Sequence, residues 1–74
     1  MINRLRDIRE DKDLNQSELA KIVNVHQTTY SDYERGNLNV PVEVLIKLAD
    51  YYGTSVDYIL GITDEIKPYP RSKR

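Results

Sequence analysis

The sequence predicts an all-α domain of five short helices. Apolar residues recur at three- and four-residue spacing, and each run ends at Gly, Pro, Asn or a cluster of charges. No segment of four or more residues alternates apolar and polar side chains as a half-buried strand would. The 74 residues suffice for one small domain. The chain has no cysteine, which excludes a disulfide or a thiolate zinc site.

The first helix is predicted from about Asn3 to Lys12, because Ile2, Leu5 and Ile8 form one apolar stripe. The second begins after Asn15, a favourable N-cap, with Glu18 where a capping box needs its acid. It should end near Asn24, since asparagine tolerates the left-handed backbone of a tight turn. Its apolar side consists of Leu19, Ala20, Ile22 and Val23.

The third helix is predicted from about Gln27 to Arg35, stopped by Gly36 and followed by the loop Asn37 to Asn39. The fourth opens at Pro41, which the first turn of a helix accepts, and Gly53 terminates it. The fifth starts at a Ser55 cap and closes at Gly61. The expected inward-facing residues of these last two helices are Leu45, Leu48, Ala49, Tyr52, Val56, Ile59 and Leu60.

Residues 1–62 are therefore expected to form the domain, and residues 63–74 a polar to basic flexible tail. Two prolines between Lys67 and Arg71 exclude a helix there. Four of the 11 basic residues lie in the last eight positions, which leaves seven basic and 12 acidic residues, a net charge of −5, in positions 1–66. An acidic fold is unexpected for a nucleic-acid-binding protein.

The third predicted helix has two unlike faces at about 100° per residue. Tyr30 and Tyr33 fall on one side, with Glu34 at the border. The other side carries the side chains that can pair with base edges, namely Gln27, Thr28, Ser31, Asp32 and Arg35. An ordinary solvated face remains the alternative for this helix alone.

The connection between the second and third helices indicates a helix-turn-helix, because it is short and Ala20 is small enough for a close crossing. The chain also resembles the Cro and phage-repressor family of helix-turn-helix regulators, also called xenobiotic-response-element-like, over about residues 3–62. The segments that carry this resemblance are Leu14 to Ala20, Tyr33 to Gly36, Leu45 to Ala49 and Ser55 to Gly61.

The resemblance implies a compact five-helix repressor-like domain that reads the major groove of double-stranded DNA with its third helix. It implies base contacts at Gln27, Thr28 and Asp32, and contacts with the DNA backbone at Gln16, Asn37 and Asn39. Ser31 and Arg35 flank the base-contacting positions and can reach bases or phosphates; we expect Ser31 to contact bases, and Arg35 and Asn15 to contact the backbone. Because a single small module binds weakly, we expect a homodimer on a palindromic operator. The sequence has no cysteine, membrane span or apolar signal-peptide core, so we expect a cytoplasmic protein.

Two departures from the family pattern concern the turn and the third helix. Asn24 stands in place of the turn glycine, which is tolerable. His26 stands in place of the usual serine or threonine cap, which weakens the cap.

Arg9 falls inside the apolar stripe of the first helix, so it needs a partner. The family pairs an arginine and a glutamate at the positions of Arg9 and Glu34, and we expect a structural ion pair between them.

Other functions have weaker support. The acidic residues from Asp7 to Asp13 are expected to form a solvated face, and no nucleophile, phosphate loop or ligand cluster accompanies them. We therefore expect no enzyme, cofactor or metal, and His26 has no companion ligand. The rival hypothesis is a protein-interaction module or antitoxin-like adaptor, which the acidic charge favours.

Tyr51 and Tyr58 are either a dimer contact or packed beneath the tail.

Overall fold

The computed structural model describes residues 3–70. This part of the chain contains five helices and no strand, as the sequence predicts: α1 (Leu5–Asp11), α2 (Gln16–Ile22), α3 (Gln27–Arg35), α4 (Val42–Tyr52) and α5 (Val56–Ile59). The predicted ends of α3 match these bounds, and those of the other helices differ by at most two residues. Ile2, which the sequence places in the apolar stripe of α1, lies outside the described residues.

Every helix contributes one fully buried side chain to a single core. These side chains are Leu5, Leu19, Tyr30, Leu48 and Ile59, in chain order. Burial of an apolar side chain of this size contributes about 1.5–3 kcal/mol. Because α1 and α2 contact α3 directly and Tyr30 and Tyr33 belong to the shared core, the core fixes which face of α3 is left outside.

The start of α1 is tied to α3 by Asn3. Its Oδ1 accepts a hydrogen bond from the Leu5 N–H at 3.0 Å, and its Nδ2 donates to the Tyr33 carbonyl at 2.9 Å. An asparagine whose side chain accepts a hydrogen bond from a backbone N–H of the first turn lies before the helix, not in it. For this reason α1 begins at Leu5 and not at the predicted Asn3.

The capping box predicted at α2 is confirmed. Asn15 Oδ1 accepts from the Glu18 N–H at 2.9 Å, and Glu18 Oε2 accepts from the Asn15 N–H at 3.4 Å. Between α2 and α3, Asn24 has a φ of 58°, in the left-handed region that the turn requires. The Val25 N–H donates to the Ala20 carbonyl at 2.9 Å, which closes the corner against the buried Ala20.

Residues 63–70 are not helical, and they lie against the helical body. The Thr54 hydroxyl donates to the Ile66 carbonyl at 2.6 Å, and the Tyr69 hydroxyl donates to Asp57 Oδ2 at 2.8 Å. Polar groups of α5 and of the turn before it thus contact the segment that follows, and the domain boundary at residue 62 and the flexible tail stay predictions. The basic residues Arg71, Lys73 and Arg74 of that tail lie outside the described residues.

Arg4 joins the start of the domain to this returning segment. Its guanidinium lies 4.3 Å from the centroid of the Tyr58 ring and donates to the Thr63 carbonyl at 3.1 Å and to the Asp64 carboxylate. Tyr58 is therefore packed beneath Arg4 and half-buried, whereas Tyr51 is exposed. The packing of Tyr58 is against Arg4, and a dimer contact stays a prediction for both tyrosines.

The longest helix within residues 3–70 is α4, with 11 residues. No helix in this part of the chain combines the length and the apolar character needed to cross a bilayer.

Candidate nucleic-acid interface

The orientation of α3 is set by two tyrosines on its inner side. Tyr30 is fully buried and Tyr33 is 5% exposed. Their rings meet edge to face, with centroids 6.4 Å apart, an arrangement that aromatic pairs prefer. Because both rings are enclosed by the core, α3 cannot turn about its axis without exposing one of them.

The opposite side of α3 holds the predicted base-contacting residues. Gln27 and Thr28 are exposed in the first turn, and Ser31 and Asp32 are half-exposed in the second. Within residues 3–70 the side chains of these four residues make no hydrogen bond or ion pair. Their amide, hydroxyl and carboxylate groups are thus available to an external partner.

The N-terminus of α3 is uncapped by a side chain. His26 occupies the N-cap with an extended backbone, φ −67° and ψ 149°, and its imidazole makes no capping hydrogen bond. This agrees with the weak cap expected at this position, and α3 nevertheless begins at Gln27 as predicted. The buried tyrosines and the Ala20 crossing compensate, since packing outweighs a single cap.

The predicted backbone-contacting residues occupy three places. Asn15 and Gln16 stand at the start of α2, Arg35 is exposed at the end of α3, and Asn37 and Asn39 are exposed in the next loop. Gln16 and Arg35 line one pocket together with Ser31. No recorded contact links Asn37 or Asn39 to that pocket.

Asn15 is partly committed to its own helix. Its Oδ1 accepts from the Glu18 N–H and from the Ser17 hydroxyl at 2.7 Å, and its Nδ2 donates to Glu18 Oε1 at 3.3 Å. A DNA phosphate needs a donor, and the Asn15 amide nitrogen has a second N–H beyond the one that it donates to Glu18.

Arg9 and Glu34 form a two-pronged ion pair between α1 and α3. Arg9 Nε donates to Glu34 Oε2 at 2.7 Å, and Arg9 Nη2 donates to Glu34 Oε1 at 3.1 Å. The side chains are 14% and 3% exposed, respectively. Gln16 Nε2 from α2 donates to the same Glu34 Oε1 at 3.2 Å, so one carboxylate joins three helices.

These contacts control the ionisation of Glu34. Burial alone would raise the pKa of Glu34, but hydrogen bonds from Arg9 and Gln16 outweigh it and hold the pKa below its ordinary value. The hydroxyls of Tyr30 and Tyr52 are buried nearby without a hydrogen bond of regular geometry. Burial raises the pKa of Tyr52 to about 12, so both rings are neutral near pH 7.

Two features of this region had no sequence signal. Arg9 Nη1 donates to the Leu14 carbonyl at 3.0 Å, which fastens the α1–α2 connection, and a contact with a backbone oxygen leaves no trace in residue types. Arg6 lines the pocket between α1 and α3, although its position on the helix wheel only indicates exposure. Within residues 3–70 no three potential metal ligands lie together.

The helix-turn-helix family model matches residues 5–59 of the chain. The chain is 38% identical over 71 residues to the uncharacterized HTH-type transcriptional regulator YobD of Bacillus subtilis (strain 168), covering 96% of this chain and 62% of that protein. It is 39% identical over 54 residues to the cryptic phage CTXphi transcriptional repressor RstR of Vibrio cholerae, covering 73% of this chain and 49% of that protein.

A solved structure of a transcriptional regulator has a similar fold. The crystal structure of a transcriptional regulator from Listeria innocua superposes with a TM-score of 0.78 at 26% identity, covering 89% of this chain and 65% of that one. The chain thus spans about half to two thirds of the length of these related proteins.

The first prediction concerns the stability that the ion pair confers. Arg9→Ala would leave the Glu34 carboxylate buried without its main partner, which should lower the free energy of unfolding by about 3–5 kcal/mol. Urea denaturation followed by circular dichroism measures this. A loss below about 1 kcal/mol would mean that the pair behaves as an exposed one.

The second prediction concerns acid. Because the pKa of Glu34 is lowered by folding, the stability it contributes is present above its ordinary pKa of about 4.5 and disappears as the pH falls through the lower folded value. The stability difference between the wild type and Glu34→Gln should therefore be constant from pH 8 to about pH 5 and shrink below about pH 4.5. Urea titrations across this range decide it, and a difference that grows on acidification contradicts the assignment.

Proposed function

The chain belongs to the helix-turn-helix family of Cro and phage-repressor-like transcriptional regulators, and we propose that it binds double-stranded DNA sequence-specifically to regulate transcription. The family model spans residues 5–59 and so includes all five helices. Because the chain spans only part of its relatives, the proposal concerns this domain.

The observation that carries the proposal is the outer face of α3. Gln27, Thr28, Ser31 and Asp32 present unengaged polar groups on a helix whose opposite face is anchored in the core. A glutamine amide pairs bidentately with adenine, an aspartate accepts from the cytosine amino group, and a threonine methyl packs on the thymine methyl. A helix that offers such groups fits the major groove, which is wide enough to admit it.

Contacts with the DNA backbone would set the register of α3 on the duplex. We assign this role to Gln16 at the start of α2 and to Arg35 at the end of α3. Asn37 and Asn39, in the loop that leaves α3, have the same role. Asn15 would join them through the amide N–H that Glu18 does not accept. Such contacts carry no sequence information themselves but hold the reading helix in place.

We further propose that the protein acts as a homodimer on a palindromic operator. A two-fold symmetric dimer places its two reading helices about one helical turn of DNA apart, which matches the spacing of half-sites. Repression is the proposed outcome, by analogy with the relative from Vibrio cholerae that is named a transcriptional repressor. The domain would act in the cytoplasm by binding alone, without catalysis or a cofactor, as is usual for DNA-binding regulators.

The rival candidate is a protein-interaction module on the same fold. The net charge of −5 on residues 1–66 favours it, because an acidic surface repels phosphates. The outer face of α3 and the family of the chain favour DNA. The acidic charge then predicts weak binding to non-specific DNA, so discrimination must come from base contacts.

The third prediction is a selection experiment. The protein is incubated with random duplex DNA at two salt concentrations, and bound duplexes are recovered and sequenced. We expect an enriched palindromic motif that is lost when Gln27 and Thr28 are both changed to alanine, since each good base contact contributes about 1–3 kcal/mol of discrimination.

Glu43→Gln is a suitable control, because Glu43 is exposed on α4 and belongs to none of the proposed contacts. It should select the same motif as the wild type. If no motif is enriched at both salt concentrations, DNA binding is rejected and the protein-interaction module is favoured.

A further inference from the structure

A polar pocket lies where α1, α2 and α3 meet, beside the outer face of α3. Its volume is about 300 Å³, and every lining side chain is polar or charged: Arg6, Arg9, Gln16, Ser31, Glu34 and Arg35. Sites for small organic molecules are lined mainly by apolar and aromatic side chains. The lining therefore suits a small charged group and not an apolar ligand.

The charges around this pocket are unevenly balanced. Three arginines face one glutamate, a surplus of two positive charges. Arg9 is engaged by Glu34. Arg6 has only a 3.5 Å contact from its Nε to Glu10 Oε2, with side chains 70% and 53% exposed, and such an exposed pair is weak. Arg35 makes no ion pair within residues 3–70.

This surplus of positive charge contrasts with the rest of the domain, which is acidic overall. Of the four other basic residues in positions 1–66, Arg4 is bound to Asp64. Lys21 and Lys47 are exposed on α2 and α4 and do not line the pocket. Lys12 lies in clefts beside Tyr52, away from the outer face of α3. The pocket thus gathers cations next to the surface that would meet DNA. An anion that approaches α3 would find its counter-charge there.

Gln16 and Arg35 are already assigned above to the DNA backbone; we propose that Arg6 is a further ligand of the same phosphate, which this pocket would hold. The inference rests on the proposed function, which assigns the outer face of α3 to DNA. The planar guanidinium of arginine presents paired donors that match phosphate oxygens. Arg6 can turn from Glu10 to the phosphate at small cost because their contact is long and exposed.

Glu34 has a second role in this arrangement. By neutralising Arg9 and accepting from Gln16, it fixes the floor of the pocket. The Gln16 amide is thereby held close to the phosphate position before DNA arrives. A preorganised donor loses less conformational freedom on binding than a mobile one.

The test is DNA binding by Arg6→Gln, measured by fluorescence anisotropy on the selected duplex and on a scrambled duplex at 50, 100 and 200 mM salt. We expect binding roughly tenfold weaker at the lowest salt concentration, as for loss of a charged hydrogen bond. The loss should be similar on both duplexes, because a phosphate contact carries no sequence information. The slope of log affinity against log salt should fall by about 0.9, so the deficit shrinks about threefold by 200 mM.

Lys12→Gln is the matched control. It removes the same charge next to the same helix but lies outside the pocket, so it should bind nearly as the wild type does. Glu10→Gln should strengthen binding by about twofold to fivefold, the value of an exposed ion pair, and only where Arg6 is intact. Thermal unfolding of each variant verifies folding, which the exposed Arg6 side chain should not affect.

The outcomes separate the two proposals. If the wild type selects and binds its motif but Arg6→Gln matches Lys12→Gln in affinity and salt slope, the phosphate pocket is wrong and the proposed function stands. A loss confined to the selected duplex would also overturn it, since that pattern indicates a base contact. If the wild type binds no duplex, both proposals fail.

Discussion

The carboxylate of Glu34 is the point at which α1, α2 and α3 are held in one arrangement. It accepts from Arg9 through two nitrogens and from Gln16 through the side-chain amide, and its side chain is only 3% exposed. A buried ion pair adds little stability compared with apolar packing, but it fixes the partners it joins, and losing one partner is costly. Here it fixes how α3 sits against α1 and α2. The outer face of α3 therefore has one defined direction, as a surface that reads base edges requires.

The acidic charge of residues 1–66 is compatible with DNA binding if the cations are concentrated where they act. Arg6 and Arg35 lie at the α1–α2–α3 pocket next to α3, while Arg4 is engaged on the far side with Asp64 and Tyr58. Repulsion from the remaining acids would weaken non-specific attraction along the whole duplex. Specific binding would then depend on the fit at a few positions.

Much of this structure could be predicted from the sequence because local signals agree with tertiary ones. The capping box at Asn15, the left-handed Asn24 and the terminating Gly36 each act within a few residues, so periodicity and punctuation were sufficient to find α2 and α3. The contacts of residues 63–70 could not be predicted, because the hydrogen bond from Thr54 to the Ile66 carbonyl depends on chain direction in space. The pocket around Arg6 could not be predicted for the same reason, because the sequence does not show that exposed arginines on separate helices come together in space.

If the outer face of α3 reads the DNA bases, it must lie in the interface together with the backbone-contacting residues beside it. The most direct measurement is a titration of ¹⁵N-labelled protein with its selected duplex, followed by backbone and side-chain amide NMR shifts. We expect the largest changes on residues 15–17 and 27–39, including the side-chain amides of Gln16 and Gln27. Changes centred on α4, α5 and residues 63–70, with α3 unaffected, would contradict it.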